Sequence, residues 1–281
     1  MRITEREITE PVSFTGPDGL LNRDAVGWTR TQLHDTSGIP GGKAWGRNKR
    51  WEYWSFIGGR FMVSLTVSSI DYLGSEEVWV FDRQTQREWR TAALVPFGRG
   101  VTLPPSLHGG RAHVKAGKLE ITIDPEADGI RLAFRGQGVS GELFAARPAG
   151  QEHMGVVVPW SDRRFQYTVK DVALPATGTI TIEGETHAIE ADGPAWGVLD
   201  HGRGRWPYDV TWNWAAGSGI VDGRRIGVQL GAKWTDGTGS TESCLFVDGR
   251  AHKISEELTW EYDTSDFMAP WRVHGELADL T

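Results

Sequence analysis

The stretch Arg60-Phe-Met-Val-Ser-Leu-Thr-Val-Ser-Ser-Ile-Asp-Tyr-Leu-Gly-Ser-Glu-Glu-Val-Trp-Val-Phe81 decides the fold class. From Phe61 to Val67 it is apolar and β-branched, and Val78 to Phe81 resumes the pattern after a polar turn. Shifted by 165 residues, Arg60 to Phe81 overlays Arg225 to Phe246 without a gap. Arg60/Arg225, Val63/Val228, Leu65/Leu230, Asp71/Asp236, Gly74/Gly239, Ser75/Ser240, Glu77/Glu242 and Phe81/Phe246 are identical, eight of 22 positions. An aromatic strand precedes each copy, Trp51-Glu-Tyr53-Trp54 and Trp212-Asn-Trp214. Two related barrel-like units in tandem are therefore expected, against the plainer alternative that any two β-meanders look alike.

Strand signals continue outward from this pair. Residues 118–123 follow a hairpin signal at Ala116-Gly117, and 179–183 and 186–189 alternate around Gly184-Glu185. No stretch of twelve residues carries a helical period, so an all-β protein of sandwiches or barrels is expected. Pro/Gly-rich breaks fall at Pro96 to Gly110 and Arg147 to Gly150. The second, near the midpoint, is the expected boundary between an N-terminal unit, 1–150, and a C-terminal unit, 151–281.

Of 281 residues, 36 are glycine and 14 are tryptophan, a composition suited to many turns and to aromatic gripping surfaces. The formal charge of −7 offers no basic stripe for tracking phosphates, so nucleic acid is not an expected partner. A single cysteine, Cys244, excludes an internal disulfide framework and a thiolate zinc site. The opening residues have no apolar leader pattern, and the densest apolar run, Val156 to Val158, is too short to span a bilayer. A cytoplasmic protein without integral membrane association is the expectation.

Several motifs carry no chemistry. Gly136-Gln-Gly138-Val-Ser-Gly141 fits a dinucleotide fingerprint, but the seven residues after it leave no room for the phosphate-binding helix. The eight histidines show no metal-ligand spacing. Asp236, Thr238, Ser240 and Glu242 alternate like calcium ligands, which a repeated polar hairpin explains more simply. No cofactor and no metal are expected.

The densest chemistry lies in Leu199-Asp200-His201-Gly202-Arg203-Gly204-Arg205-Trp206-Pro207-Tyr208 and Trp212-Asn-Trp214. Trp212 and Trp214, two apart, share one face of a strand. They are expected to line a cavity, the alternative being that both fill a core. Arg203 and Arg205 also share a face and are expected to clamp an anionic group, unless they are solvated or paired with Asp200 or Asp209. His201 is the foremost proton-transfer candidate because its ordinary pKa lies near neutrality, with Asp200 on the opposite side of a regular strand. Tyr208 and Trp54 complete the expected ligand-binding set.

Lys49-Arg50-Trp51-x-Tyr53-Trp54, Phe165-Gln-Tyr-Thr-x-Lys170, Leu174-Pro-Ala176, Asp200-x-Gly202-Arg-Gly204-x-Trp206-Pro-Tyr208 and Trp212-Asn-Trp214 resemble a bacterial family defined as domain of unknown function 2804. More distantly, Asp200-His201 followed by Trp212-x-Trp214, a glycine turn and the strand from Arg225 to Leu230 resembles the carotenoid hydratase and tocopherol cyclase-like proteins. That resemblance implies two calycin (lipocalin-like) barrels and the protonation or cyclisation of apolar chains. Here Gly202-Arg203-Gly204-Arg205 stands where those hydratases place an aromatic soon after Asp-His, which puts polyene hydration itself in doubt. The expected function is binding a hydrophobic, lipid- or isoprenoid-like molecule with an anionic head. Its acid-catalysed hydration, cyclisation or isomerisation would use His201 or Asp200. A non-catalytic interaction protein is one alternative. A carbohydrate-active protein using Asp209, Glu242 or Glu52 is the other.

Overall fold

The computed structural model describes residues 2–39 and 44–281. Three short strands, β1 (Val12–Ser13), β2 (Trp28–Thr29) and β3 (His34–Asp35), and a 3-10 turn at Arg23–Ala25 make up the N-terminal segment. A meander follows: β4 (Asn48–Ile57), β5 (Phe61–Ser69), β6 (Leu73–Asp82) and β7 (Arg87–Pro96). Then come the hairpins β8 (Ala112–Ala116) with β9 (Leu119–Pro125) and β10 (Gly129–Gly136) with β11 (Val139–Ala146). After β12 (Met154–Ser161), β13 (Arg164–Ile182), β14 (Glu185–Ala188) and β15 (Ala195–Arg205), a second meander comprises β16 (Asn213–Val221), β17 (Arg224–Ala232), β18 (Cys244–Val247) and β19 (Arg250–Lys253). The chain ends in β20 (Thr259–Glu261), β21 (Arg272–His274) and β22 (Asp279–Leu280).

Thirteen strands form one sheet along the path β7-β6-β5-β4-β15-β13-β11-β10-β9-β8, with β12, β14 and β2 attached. Its ends approach each other, β8 and β9 packing back against β5, β6 and β7, so the sheet is a nearly closed barrel. The all-β architecture is as expected. Alternation builds it: β5 buries every second residue from Phe61 to Ser69, and Val63, Leu65 and Val67 point into the barrel core. Each such aliphatic side chain contributes about 1.5–3 kcal/mol by leaving water.

The hydrogen-bonded sheet takes strands from both sides of residue 150, because β13 and β15 lie between β11 and β4. Those two strands are buried on both faces over most of their length. Their inner side chains enter the barrel core. Their outer side meets a second apolar cluster, with Val172 and Val198 packed beside Trp234, Cys244 and Phe246. The second meander is a separate, open four-stranded sheet. Within it, Arg225 to Phe246 covers β17 and most of β18, as Arg60 to Phe81 covers β5 and most of β6 in the first meander.

Two local signals resolve plainly. The glycine-rich 136–141 segment is the turn between β10 and β11, with Gly136 paired to Val139 and no helix after it. The β13–β14 turn falls on Glu183-Gly184, both left-handed (φ 51° and 94°), one residue before the position the sequence suggested.

Candidate functional site

Antiparallel register sets three rows of side chains across the outside of the barrel. Thr66, Tyr53, Asp200 and Lys170 are successive cross-strand partners on β5, β4, β15 and β13. Ser68, Trp51, Gly202 and Thr168 form the next row, and Lys49, Gly204 and Gln166 the third. Alternation places all three rows on the same face. Over this face the C-terminal segment walls an open cavity of about 700 Å³, within the range of small-molecule sites. Gly202 makes room for its wall: a Cβ there would lie 2.1 Å from the Trp51 ring. The Trp51 indole takes that space, and its Nε1 donates to Asp200 Oδ1 at 3.1 Å.

The charged floor is Lys170 between two carboxylates. Its Nζ lies 2.6 Å from Asp200 Oδ2 and 2.9 Å from Glu242 Oε1, with only 3% of the side chain exposed. Glu242, just before β18, is held from several sides. Trp234 Nε1 donates to its Oε2 at 2.9 Å, and Gln229 Nε2 donates to its carbonyl at 2.9 Å. Gln229 Oε1 in turn accepts from Trp214 Nε1 at 2.6 Å, tying the cavity wall to the carboxylate. Gly231 leaves the space Glu242 needs, since a Cβ there would sit 2.1 Å from Glu242 Oε2.

Burial penalises every charge here, but not equally. For Lys170 burial favours the neutral amine, yet Asp200 and Glu242 overcome it and hold the pKa above its ordinary value. Glu242 is pushed up by burial and by the Asp200 carboxylate, against the pull of Lys170. A fixed ammonium and a buried carboxyl with raised proton affinity thus share one cavity floor.

Indoles form the rest of the wall. Trp206 stacks on Trp234 (centroids 5.9 Å apart, planes at 15°) and meets Trp51 and Trp212 edge-on. Trp214 meets Tyr53 at 5.9 Å, and Lys170 Nζ lies 5.3 Å from the Trp214 centroid. Trp206 is itself fixed by donating to Gln166 Oε1 at 2.6 Å. Trp212 is 59% exposed and stands at the mouth.

A family model described as domain of unknown function DUF2804 matches residues 5–280. The chain belongs to that family. The membership agrees with the resemblance read from the Lys49–Trp54 and Trp206–Tyr208 motifs. Among solved structures, this DUF2804 chain is similar to an AttH-type protein from Nitrosomonas europaea, at 11% identity and a TM-score of 0.52, over 81% of this chain and 77% of that one. It is also similar to kievitone hydratase from Nectria haematococca, at 11% identity and a TM-score of 0.50, over 81% and 72%. At such identity the likeness is one of fold. No curated protein matches the sequence.

In this DUF2804 chain the cavity brings together Asp200, Trp212 and Trp214 from the expected set. His201, Arg203 and Arg205 do not face it, because strand alternation sends them into the barrel. His201 is fully buried, and its Nδ1 donates to Glu52 Oε1 at 2.7 Å. Burial holds His201 below its ordinary pKa, and Arg203 adds to that effect. The expected proton donor is therefore walled off from the cavity.

Arg203 is not an anion clamp; it is buried and donates to Glu52 Oε1 (3.2 Å) and to the carbonyls of Trp51, Gly202 and Pro104. Arg205 donates to Asn48 Oδ1 at 2.9 Å and to the Gly19 carbonyl. Both tie the N-terminal segment and the 97–111 loop to one end of the barrel. Trp54 lies in the barrel core, stacked on Phe56. Tyr208 is 83% exposed under the Arg47 guanidinium.

Sequence reasoning missed Lys170, Trp206 and Trp234, and it weighed Glu242 only as a calcium or glycosidase residue. A signal for Lys170 existed: a lysine inside the strand-like run from Phe165 to Ala176 needs a buried counter-charge. For Glu242 the signal was its place in the 165-residue overlay, opposite Glu77.

Proposed function

We propose that the chain binds an apolar small molecule among Trp206, Trp212, Trp214 and Trp234 and transfers a proton to it from Glu242. The supporting observation is the Lys170–Asp200–Glu242 cluster on the floor of a cavity walled by indoles. In this reading the Glu242 carboxyl protonates an alkene carbon or a carbonyl oxygen. The faces of Trp214 and Trp206 stabilise the developing cation. Water then adds to the cation, or a neighbouring carbon loses a proton; either way the released proton returns to the Glu242 carboxylate, which restores the starting protonation state. Lys170 holds both carboxylates in place throughout. General-acid assistance of this kind contributes about 10²–10⁴ in rate.

The fold shared with a hydratase is compatible with the proposal, and no helix among the described residues is long and apolar enough to cross a membrane. In the carbohydrate reading, Asp200 and Glu242 would flank a glycosidic oxygen, but the Lys170 ammonium occupies the gap between them.

Native mass spectrometry of the protein purified from its own host tests binding. A retained small molecule, lost in Trp214→Ala, is expected. Turnover of that molecule in D₂O should place deuterium on carbon, and Glu242→Gln should abolish the label. If purification and lipid-extract screening never yield a bound species, the proposal fails.

A further inference from the structure

One cation of the cavity wall stands apart from the carboxylates there, although the whole chain stands at −7. Lys49 and Lys170 line the cavity against Asp200 and Glu242, and Lys170 engages both carboxylates. Lys49 remains over. It is half-buried, its Nζ lies 4.6 Å from the Trp206 centroid, and it has no carboxylate partner among the described residues. Arg50, the next residue on β4, is in register with Arg203 and Ser69 and turns the other way, donating to Ser69 Oγ at 3.2 Å. The nearby Asp71 carboxylate acts on Arg50 and Arg205 rather than on Lys49, and its Oδ2 accepts from the Gly46 and Asn48 amides and from Asn48 Nδ2. A half-buried ammonium facing a cavity without a counter-charge is unfavourable unless something else supplies the charge.

We propose that Lys49 is the subsite for a single anionic group, a carboxylate or a phosphate, on the apolar ligand of this cavity. The inference rests on the ligand cavity proposed above and adds the substrate class: an elongated amphiphilic acid. Its length follows from register. Lys49 and Tyr53 are four residues apart on β4, and Tyr53 pairs with Asp200. The anionic end and the part of the ligand above Asp200 are therefore on the order of 10 Å apart. The Lys49 ammonium sits over Trp206, so the anionic end of the ligand lies beside that indole.

Calorimetric titration with farnesoic acid, farnesyl phosphate and farnesol compares one apolar body with and without the charge. The wild type is expected to bind an anionic form about tenfold or more tighter than the alcohol, the scale of one charge-assisted hydrogen bond. Lys49→Met removes that preference without weakening farnesol, and Lys49→Arg keeps it. Whichever anion loses more affinity in Lys49→Met identifies the group the subsite takes. Trp214→Ala weakens all three ligands alike. Equal binding of acid, phosphate and alcohol, or a Lys49→Met loss shared equally by the alcohol, overturns the subsite and leaves the cavity standing. Lys49-dependent binding that ignores Trp214→Ala upholds the anion site and overturns the apolar cavity. Failure of all three ligands to bind overturns both.

Discussion

Lys170→Met is the perturbation that most directly tests the charged floor. The substitution keeps most of the side chain's volume but removes an ammonium buried between Asp200 Oδ2 at 2.6 Å and Glu242 Oε1 at 2.9 Å. Breaking a buried ion pair typically costs about 3–5 kcal/mol, because the remaining charge stays desolvated. Two carboxylates remain here, so the variant relieves the strain by taking up a proton, and the pair's proton affinity in the folded state rises. The sign follows: a carboxyl whose folded pKa lies above its unfolded value binds more protons folded than unfolded, so stability falls as pH rises. The deficit of the variant should therefore be largest at pH 8 and shrink toward pH 6 by up to about 1.4 kcal/mol per pH unit. Equilibrium urea unfolding, followed by tryptophan emission at three pH values, measures it. Adding Glu242→Gln in the same chain removes one of the stranded charges and should recover part of the loss. A deficit below about 1 kcal/mol, or one that is flat between pH 6 and 8, would refute the argument, since 1 kcal/mol is the ceiling for a solvated pair.

Acid sensitivity comes from histidines the site does not use. His34 and His108 are lowered to about 4 and His153 to about 3, chiefly by burial. The unfolded chain takes up these protons below its own pKa near 6.5 while the folded chain does not, so stability is full above about pH 7 and falls toward pH 4. His153→Gln should remove up to about 1.4 kcal/mol per pH unit from that slope, measured by urea unfolding between pH 6 and 4; an unchanged slope would show that His153 is not buried neutral. Arg203→Met should cost about 3–5 kcal/mol by stranding Glu52, while the remaining folded protein keeps any preference for anionic ligands, as competition binding would show. Loss of that preference with intact stability would put Arg203 back at the ligand.

The sequence by itself determined the all-β class, because alternation in Phe61 to Val67 is a local property of consecutive residues and needs no partner to be read. Family membership was equally local, carried by Lys49 to Trp54 and Trp206 to Tyr208. Trp212 and Trp214 were placed on one face by the same period of two, and the opposition of Asp200 to His201 followed from it. Which of those faces meets the cavity was not local. A strand looks alike from both sides until something packs on it, and here β13 and β15 are covered inside by the barrel and outside by the second meander. That packing sealed His201, Arg203 and Arg205 into the barrel and left Asp200 on the cavity side. Lys170 and Glu242 became a pair across 72 residues only because β17 and β18 fold back over β13. Desolvation then raised the proton affinity of Glu242, and a change of that kind depends on what surrounds a residue in space rather than on its neighbours in the chain.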